Sequence, residues 1–325
     1  MNKALIARKQ DKSYTVSLED LTELPPGEVT VDIAYSSLNY KDALAVTAKG
    51  KIIRKFPMVI GIDLAGTVVE SATDEFKPGD RVIGLAQGLG ETEWGGFAQR
   101  QRVLAKTLVP LPATLSLEEA MQIGTAGFTA MLCVMALDAY GLVPGDREIV
   151  VTGAAGGVGS IAVLLLARRG HRVAASTGRP ELEPYLRDLG ASSIIPRDEL
   201  AKKPAPLESE RWLGGIDTVG GDSLATLFAQ TAYEGAIACC GMAGGHELTT
   251  TVWPLILRNV ALLGVSSIHT SKAKRVEAWT RLANEVDRAK LASISRTEPL
   301  SRIVELSEDV LGGRVRGRLA IDVNR

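Results

Sequence analysis

From Glu148 onward the hydrophobic pattern alternates between short apolar runs without helical period and longer apolar stretches. Residues 147–153, Arg-Glu-Ile-Val-Val-Thr-Gly, read as a buried strand: a β-branched run closed by a glycine. A glycine-rich turn over 154–160 leads into 161–169, where apolar residues persist long enough for a buried helix. A second strand follows at 171–175, and the alternation continues with a helix at 182–189 and strands at 193–195 and 216–219. A helix at 223–232 and strands at 236–240 and 261–266 complete it. Repeated strand–helix units predict an α/β fold with a doubly wound parallel sheet.

The chain before this half has a different rhythm. Residues 1–121 carry short strand patterns at 3–8, 28–36, 66–70 and 80–85, divided by glycine and proline turns such as Lys77-Pro78-Gly79-Asp80, which predicts a β-rich domain. At 116–120 the pattern turns helical, with Ser116 as N-cap and Glu119 completing a capping box. Residues 121–140 continue as an apolar helix broken at Gly124 and Gly127, and 143–146 turn into the strand of the second half. Residues 272–289 read as a helix and 318–323 as a last strand returning to the first domain. The expected division is 1–121 with 269–325 against 122–268.

The turn between the first strand and helix of the parallel half carries chemistry. Gly157-Val158-Gly159-Ser160-Ile161-Ala162 fits G-x-G-x-x-G/A, whose small residues permit a tight turn, close approach of a pyrophosphate and close helix packing. The helix N-terminus offers unpaired N–H groups and a positive dipole end. At the end of the second strand, Ser176-Thr177-Gly178-Arg179 stands where an NAD site would place an acid for the ribose 2′-hydroxyl, and no acid occurs between Ser160 and Pro180. Hydroxyls and a guanidinium suit a 2′-phosphate, so NADPH is the expected cofactor.

Composition narrows the field. The chain has 325 residues, 46% hydrophobic and 23% charged, and a formal net charge of −1 without long basic runs, which argues against nucleic acid as a partner. We expect no bilayer-length apolar span and no signal peptide, hence a cytoplasmic protein. Three cysteines, Cys133, Cys239 and Cys240, form neither a disulfide framework nor a metal motif; the adjacent pair reads as apolar filler on opposite faces of its strand. His171, His246 and His269 have no visible partners.

Particular runs carry a resemblance: Ser36-Ser37-Leu38-Asn39-Tyr40-Lys41-Asp42-Ala43-Leu44, Gly61-Ile62-Asp63-Leu64-Ala65-Gly66, Trp94-Gly95-Gly96-Phe97-Ala98, the stretch 123–131 and Ile256-Leu257-Arg258-Asn259-Val260. With the domain order, they resemble the medium-chain dehydrogenase/reductase superfamily, in its bacterial acrylyl-CoA reductase branch, often labelled quinone oxidoreductases. The resemblance implies a GroES-like catalytic domain beside the Rossmann domain, and NADPH-dependent reduction of a double bond conjugated to a thioester. Zinc members carry a cysteine ligand in the first domain, a Gly-His-Glu run and a four-cysteine lobe. Here the first domain has neither Cys nor His and the run is Gly61-Ile62-Asp63, so no zinc site is expected.

The resemblance also implies site residues. Asn39, Tyr40 and Asp42 would line the cleft beside the nicotinamide, with Tyr40 donating a proton or hydrogen bond and Asn39 holding an amide or water. Otherwise Tyr40 packs on the nicotinamide and Asp42 serves a helix N-terminus. Around NADPH it places Tyr40, Ala155, Gly156, Gly157, Val158, Thr177, Gly178, Arg179, Arg197, Met242, Ile256, Ser267 and Asn324. A homodimer would pair the sheet edge at 261–266. Lys49, Lys51, Arg54 and Lys55 could meet the phosphates of coenzyme A, but four mixed cations near the Pro57 turn read first as a solvated loop. The rivals to acrylyl-CoA reduction are a quinone reductase using the same cofactor and a non-catalytic NADPH sensor.

Overall fold

The computed structural model describes residues 2–11 and 13–325. The chain forms two units: one holds residues up to Thr125 with Ser267–Ala283 and Leu291–Arg325, the other Ala126–Ser266 with Asn284–Lys290. The first unit runs to Thr125, and the apolar helix Leu117–Tyr140 breaks one residue earlier at Gly124, whose φ of 53° and ψ of −164° are non-helical. Ser116 and Glu119 do form the capping box: Glu119 N donates to Ser116 Oγ at 3.1 Å and Ser116 N to Glu119 Oε2 at 2.7 Å. Gly127, expected as a second break, stays helical. By length and hydropathy this 24-residue helix is long and apolar enough to cross a membrane, contrary to expectation; 83% of its most apolar window is buried, as befits a core helix.

The second unit holds a six-stranded parallel sheet in the order Ala191–Pro196, Val173–Thr177, Ile149–Val151, Trp212–Asp217, Thr231–Cys239, Ala261–Gly264. This is the 3-2-1-4-5-6 arrangement of a dinucleotide fold, which reverses direction beside Ile149–Val151. Strands covered on both faces need apolar residues throughout; Ile149, Val150 and Val151 are fully buried, and Val150, Ala174, Leu227, Phe228 and Ile237 share one core cluster.

The first unit is β-rich. Its seven-stranded sheet runs Ser295–Pro299, Arg318–Asp322, Val29–Leu38, Asp63–Ser71, Arg81–Leu85, Leu108–Pro110, with Arg100–Val103 also paired to Val29–Leu38. A three-stranded sheet joins Ser13–Leu21, Asn2–Gln10 and Met58–Val59. Ser13–Leu21 lies outside the strand patterns named above; it is an edge strand whose Tyr14, Val16 and Leu18 alternate with polar residues, with Tyr14 and Val16 half-buried against the core. The predicted helix over 272–289 is two, Lys272–Glu285 and Arg288–Ile294, because Asp287 accepts the Lys290 N–H at 3.1 Å and starts a new helix. The return strand Arg318–Asp322 lies antiparallel on Val29–Leu38, with Leu319 opposite Leu38 and Ala320 opposite Ser37. That register delivers Arg318 to the end of the strand where the short helix Tyr40–Val46 begins.

Candidate active site

In the second unit the chain leaves Ile149–Val151 through Gly153, at φ +59°, and enters the helix Gly157–Arg168 from Gly156 in extended conformation. No side chain caps this helix and its first turn has no acid, so its N-terminal donors and dipole suit an anion. Gly159 lies against the strand end: a Cβ there would stand 2.3 Å from the Gly153 carbonyl oxygen. Ala155, Gly156, Gly157 and Val158 thus occupy the turn and first helical residues of the motif, which starts the helix earlier than its apolar run indicates.

Thr177 ends the neighbouring strand, and its Oγ1 accepts the Arg179 N–H at 3.1 Å. The Arg179 guanidinium reaches back over the glycine turn to the Ala155 carbonyl at 3.3 Å. Arg197 opens the helix Arg197–Leu200, and its guanidinium covers Gly178 so closely that a Cβ on Gly178 would meet Nη2 at 2.3 Å. One guanidinium thus covers Gly178 at the strand end and another lies over the neighbouring glycine turn, beside two hydroxyls, a donor set that fits the 2′-phosphate of a phosphorylated dinucleotide. Met242 follows Thr231–Cys239 and Ile256 sits on the helix Trp253–Arg258; they are 70% and 74% exposed. Sequence reasoning missed Asp217. It is buried, accepts Thr152 Oγ1–H at 2.7 Å and Gly220 N–H at 2.8 Å, and so ties the strand ends on either side of the sheet's reversal. Burial raises its carboxyl above the usual range. An acid in an otherwise apolar strand was its one signal.

The first unit separates the run Asn39-Tyr40-Lys41-Asp42. Tyr40, the first residue of its helix, is 51% exposed, and among the described residues its hydroxyl bonds to none. Asn39 and Asp42 are buried and turned inward. Asp42 Oδ2 accepts the Asn39 backbone N–H at 2.9 Å and side-chain Nδ2–H at 3.0 Å, while Oδ1 accepts Ile62 N–H at 2.9 Å. Asn39 Nδ2 also donates to Asp63 Oδ2 at 2.9 Å, and Asn39 Oδ1 accepts from Arg318 Nη1 at 3.1 Å. The expectation that Asn39 holds an amide or water meets a side chain whose donors and acceptor are engaged inside the protein.

Asp63, Arg318, Ser37 and Thr125 are the members that sequence reasoning missed. Asp63 is fully buried and accepts from Ser37 Oγ, Thr125 Oγ1 and, at 2.9 Å, Thr125 N. Arg318 donates to Ser37 Oγ at 2.7 Å and to the Gln122 carbonyl at 3.3 Å. Burial, reinforced by the charge of Asp63, pushes the Asp42 carboxyl up to about 7; burial lowers Arg318 from the usual guanidinium range despite both carboxylates. Gly124 is required where it kinks, since a Cβ would stand 2.3 Å from Arg318 Nη2.

The remaining expected residues lie apart from this network. Ser267 is half-buried; Asn324 follows the return strand and donates to the Ile33 carbonyl at 3.2 Å. Lys49 pairs with Glu308 at 2.6 Å, whereas Lys51, Arg54 and Lys55 are exposed. Among the described residues no three His, Cys, Asp or Glu side chains are arranged to hold a metal ion.

Residues 25–113 match the Alcohol dehydrogenase GroES-like domain family and residues 157–284 the family described as Zinc-binding dehydrogenase. The chain is 47% identical to the acrylyl-CoA reductase AcuI of Ruegeria pomeroyi over 100% of both proteins. The crystal structure of Escherichia coli YhdH with bound NADPH superposes with a TM-score of 0.96 at 49% identity, covering 99% of this chain and 100% of that one. That of Bacillus subtilis yhfP with NAD bound gives 0.95 at 41%, covering 99% of each. With a GroES-like unit, a Rossmann unit and relatives along its whole length, the chain belongs to the medium-chain dehydrogenase/reductase superfamily, in its acrylyl-CoA reductase branch.

Proposed function

We propose that the protein reduces the conjugated double bond of acrylyl-CoA to give propionyl-CoA, with NADPH as reductant. The observation that carries this reading is the full-length likeness, at 47% identity, to an acrylyl-CoA reductase. The donor set of Thr177, Arg179 and Arg197 around Gly178 supports the choice of NADPH. NADPH supplies the hydride that goes to the β-carbon of the enoyl thioester. The chain's own work is to bind, to orient and to manage charge. The turn Ala155–Val158 and the helix N-terminus hold the pyrophosphate, and Thr177, Arg179 and Arg197 hold the 2′-phosphate. As the β-carbon is reduced, negative charge grows on the thioester oxygen and the α-carbon takes a proton, which hydrogen-bond donors aimed at that oxygen assist. Tyr40 is the group we assign to that task, since its phenol is exposed and uncommitted within the described residues. Asn39 and Asp42 serve from behind it.

The test is NADPH consumption by the purified protein, followed by its near-ultraviolet absorbance, with acrylyl-CoA and a benzoquinone offered in parallel. Enoyl-CoA turnover with kcat/KM of about 10⁴ M⁻¹s⁻¹ or more, with little quinone turnover, is the expected result. Quinone turnover alone would make it a quinone reductase, and NADPH binding without turnover of either a sensor.

We infer further that two copies associate through the strand Ala261–Gly264. It stands at the end of the six-stranded sheet, and Leu255, Ile256, Leu257 and Leu262 are exposed on it and on the preceding helix. An open edge beside exposed apolar residues favours pairing with a second chain. Light scattering should give the mass of a dimer, and Leu262→Lys that of a monomer; a monomeric wild type would refute this. A cytoplasmic setting follows from the NADPH requirement and agrees with three free cysteines.

A further inference from the structure

The helix Tyr40–Val46 begins at Tyr40, and the Tyr40 hydroxyl has no partner among the described residues. The direction of that phenol therefore depends on the backbone that carries it, and that backbone is held from one side by a buried ionic junction. Asn39, immediately before Tyr40, donates its backbone N–H to Asp42, shares its side-chain amide between Asp42 and Asp63, and receives Arg318 on its carbonyl oxygen. Arg318 also donates to the Leu38 carbonyl at 3.4 Å, so it grips residues 38 and 39 together. Asp63 fastens the same junction to Ser37 and Thr125. Arg318 is 3% exposed and Asp63 wholly buried, and such groups are held in one arrangement because any departure leaves a charge unpaired away from water.

We propose that Arg318 and Asp63 are positioning residues that act through Asn39 to aim Tyr40, and that Gly124 is the third part of the device, since only a residue without a Cβ leaves room for the Arg318 guanidinium. The strands Arg318–Asp322 and Asp63–Ser71 and the helix Leu117–Tyr140, remote from one another in sequence, thus converge on the residue before Tyr40. The inference rests on the reading of Tyr40 as the group that meets the substrate. It goes beyond that reading by assigning a role in the chemistry to side chains that touch no substrate.

The experiment uses Arg318→Met, which removes the charge but keeps the stem, Arg318→Lys, which keeps the charge, and Gly124→Ala, which crowds the guanidinium without removing a polar group. Steady-state kinetics with acrylyl-CoA should give a kcat lower by about tenfold or more in Arg318→Met and Gly124→Ala with KM changed by less than about threefold, because misaimed groups cost turnover rather than ground-state binding. Arg318→Lys should recover part of the loss. The double variant Gly124→Ala with Arg318→Met should be no slower than the worse single variant, as for two changes acting through one junction; multiplied losses would overturn the proposal. If Arg318→Met does not fold, Gly124→Ala and Arg318→Lys carry the same comparison. Fluorotyrosine placed at position 40 keeps the positioning inference separate from the functional one: its ¹⁹F resonance should shift or broaden in Arg318→Met and Gly124→Ala whether or not acrylyl-CoA is the substrate. An unchanged resonance in folded variants, or wild-type kcat, would overturn the inference; a wild type inert toward acrylyl-CoA with a shifted resonance in the variants would overturn only the functional reading.

Discussion

The polar centres of the two units are built in opposite ways. In the Rossmann unit the elements proposed to bind the cofactor are local in sequence: Gly153 to Gly159 make the turn, Thr177 to Arg179 end the next strand, and Arg197 opens the short helix after the following one. In the GroES-like unit the polar centre is assembled from side chains at positions 37, 39, 42, 63, 125 and 318, carried by strands and helices that only the tertiary fold brings together. A backbone site depends on a few glycines and tolerates change elsewhere. A buried side-chain site depends on every member, since each leaves another unsatisfied when removed.

The largest effect should therefore come from the second kind. Asp63→Ala leaves Arg318 buried beside a lost counter-charge and strands the donors of Ser37, Asn39 and Thr125. We expect destabilisation of about 3–5 kcal/mol, read as a lowered urea midpoint. A midpoint within error of wild type would mean that the centre is not energetically coupled and would erase the contrast. Next in size is Arg179→Ala in the nucleotide half. It removes a charge-assisted contact of about 1.5–3 kcal/mol, so the Kd for NADPH should rise by roughly 10- to 150-fold while that for NADH changes little. Equal losses for both cofactors would refute the 2′-phosphate assignment, a point made sharper by a relative crystallised with NAD.

A pH dependence runs through both units, and one substitution isolates its share in the first. Asp42, pushed up to about 7 from 3.8 chiefly by burial, binds a proton in the folded protein at pH values where the unfolded chain has released it. Stability should fall as pH rises between those two values and level off above about 7. Asp217 in the other unit is shifted the same way and adds to the slope. Urea midpoints at about pH 5 and about pH 8, compared between wild type and Asp42→Asn, isolate the share of Asp42: the wild type should lose more stability between them than the variant. Identical slopes would show that Asp42 does not take up the proton.

What could be read from the sequence follows the same division. The fold was legible because strand and helix periods are local, and the order of strand, glycine turn and helix at 149–168 needs no knowledge of distant residues. The proposed phosphate-binding end could be argued from the sequence because the missing acid and Arg179 stand in one short run. Asp63 was visible only as a departure from Gly-His-Glu, and Arg318 only as the first residue of a strand, because nothing in spacing says that position 318 lies beside position 39. The inward turn of Asn39 was hidden for the same reason: its partners come from other strands. The edge strand Ser13–Leu21, by contrast, carries its signal locally, in the alternation of Tyr14, Val16 and Leu18 with polar residues.

The smallest expected effect concerns the surface of the GroES-like unit. Lys51 and Arg54 are exposed, and Lys49 is already paired with Glu308, so a hold on the phosphates of coenzyme A would rest on solvent-screened charges. Replacing both Lys51 and Arg54 by Ala should raise KM for acrylyl-CoA by roughly two- to tenfold and leave a small quinone or a CoA-free enoyl thioester unaffected, since those acceptors carry no phosphates. The increase should shrink when salt is raised from about 0.05 M to about 0.5 M, because added ions weaken the wild-type attraction and leave the double variant little to lose. A KM that rises equally for all acceptors would place the change in the shape of the loop rather than its charge, and an unchanged KM would make these cations a solvated surface with no part in substrate capture.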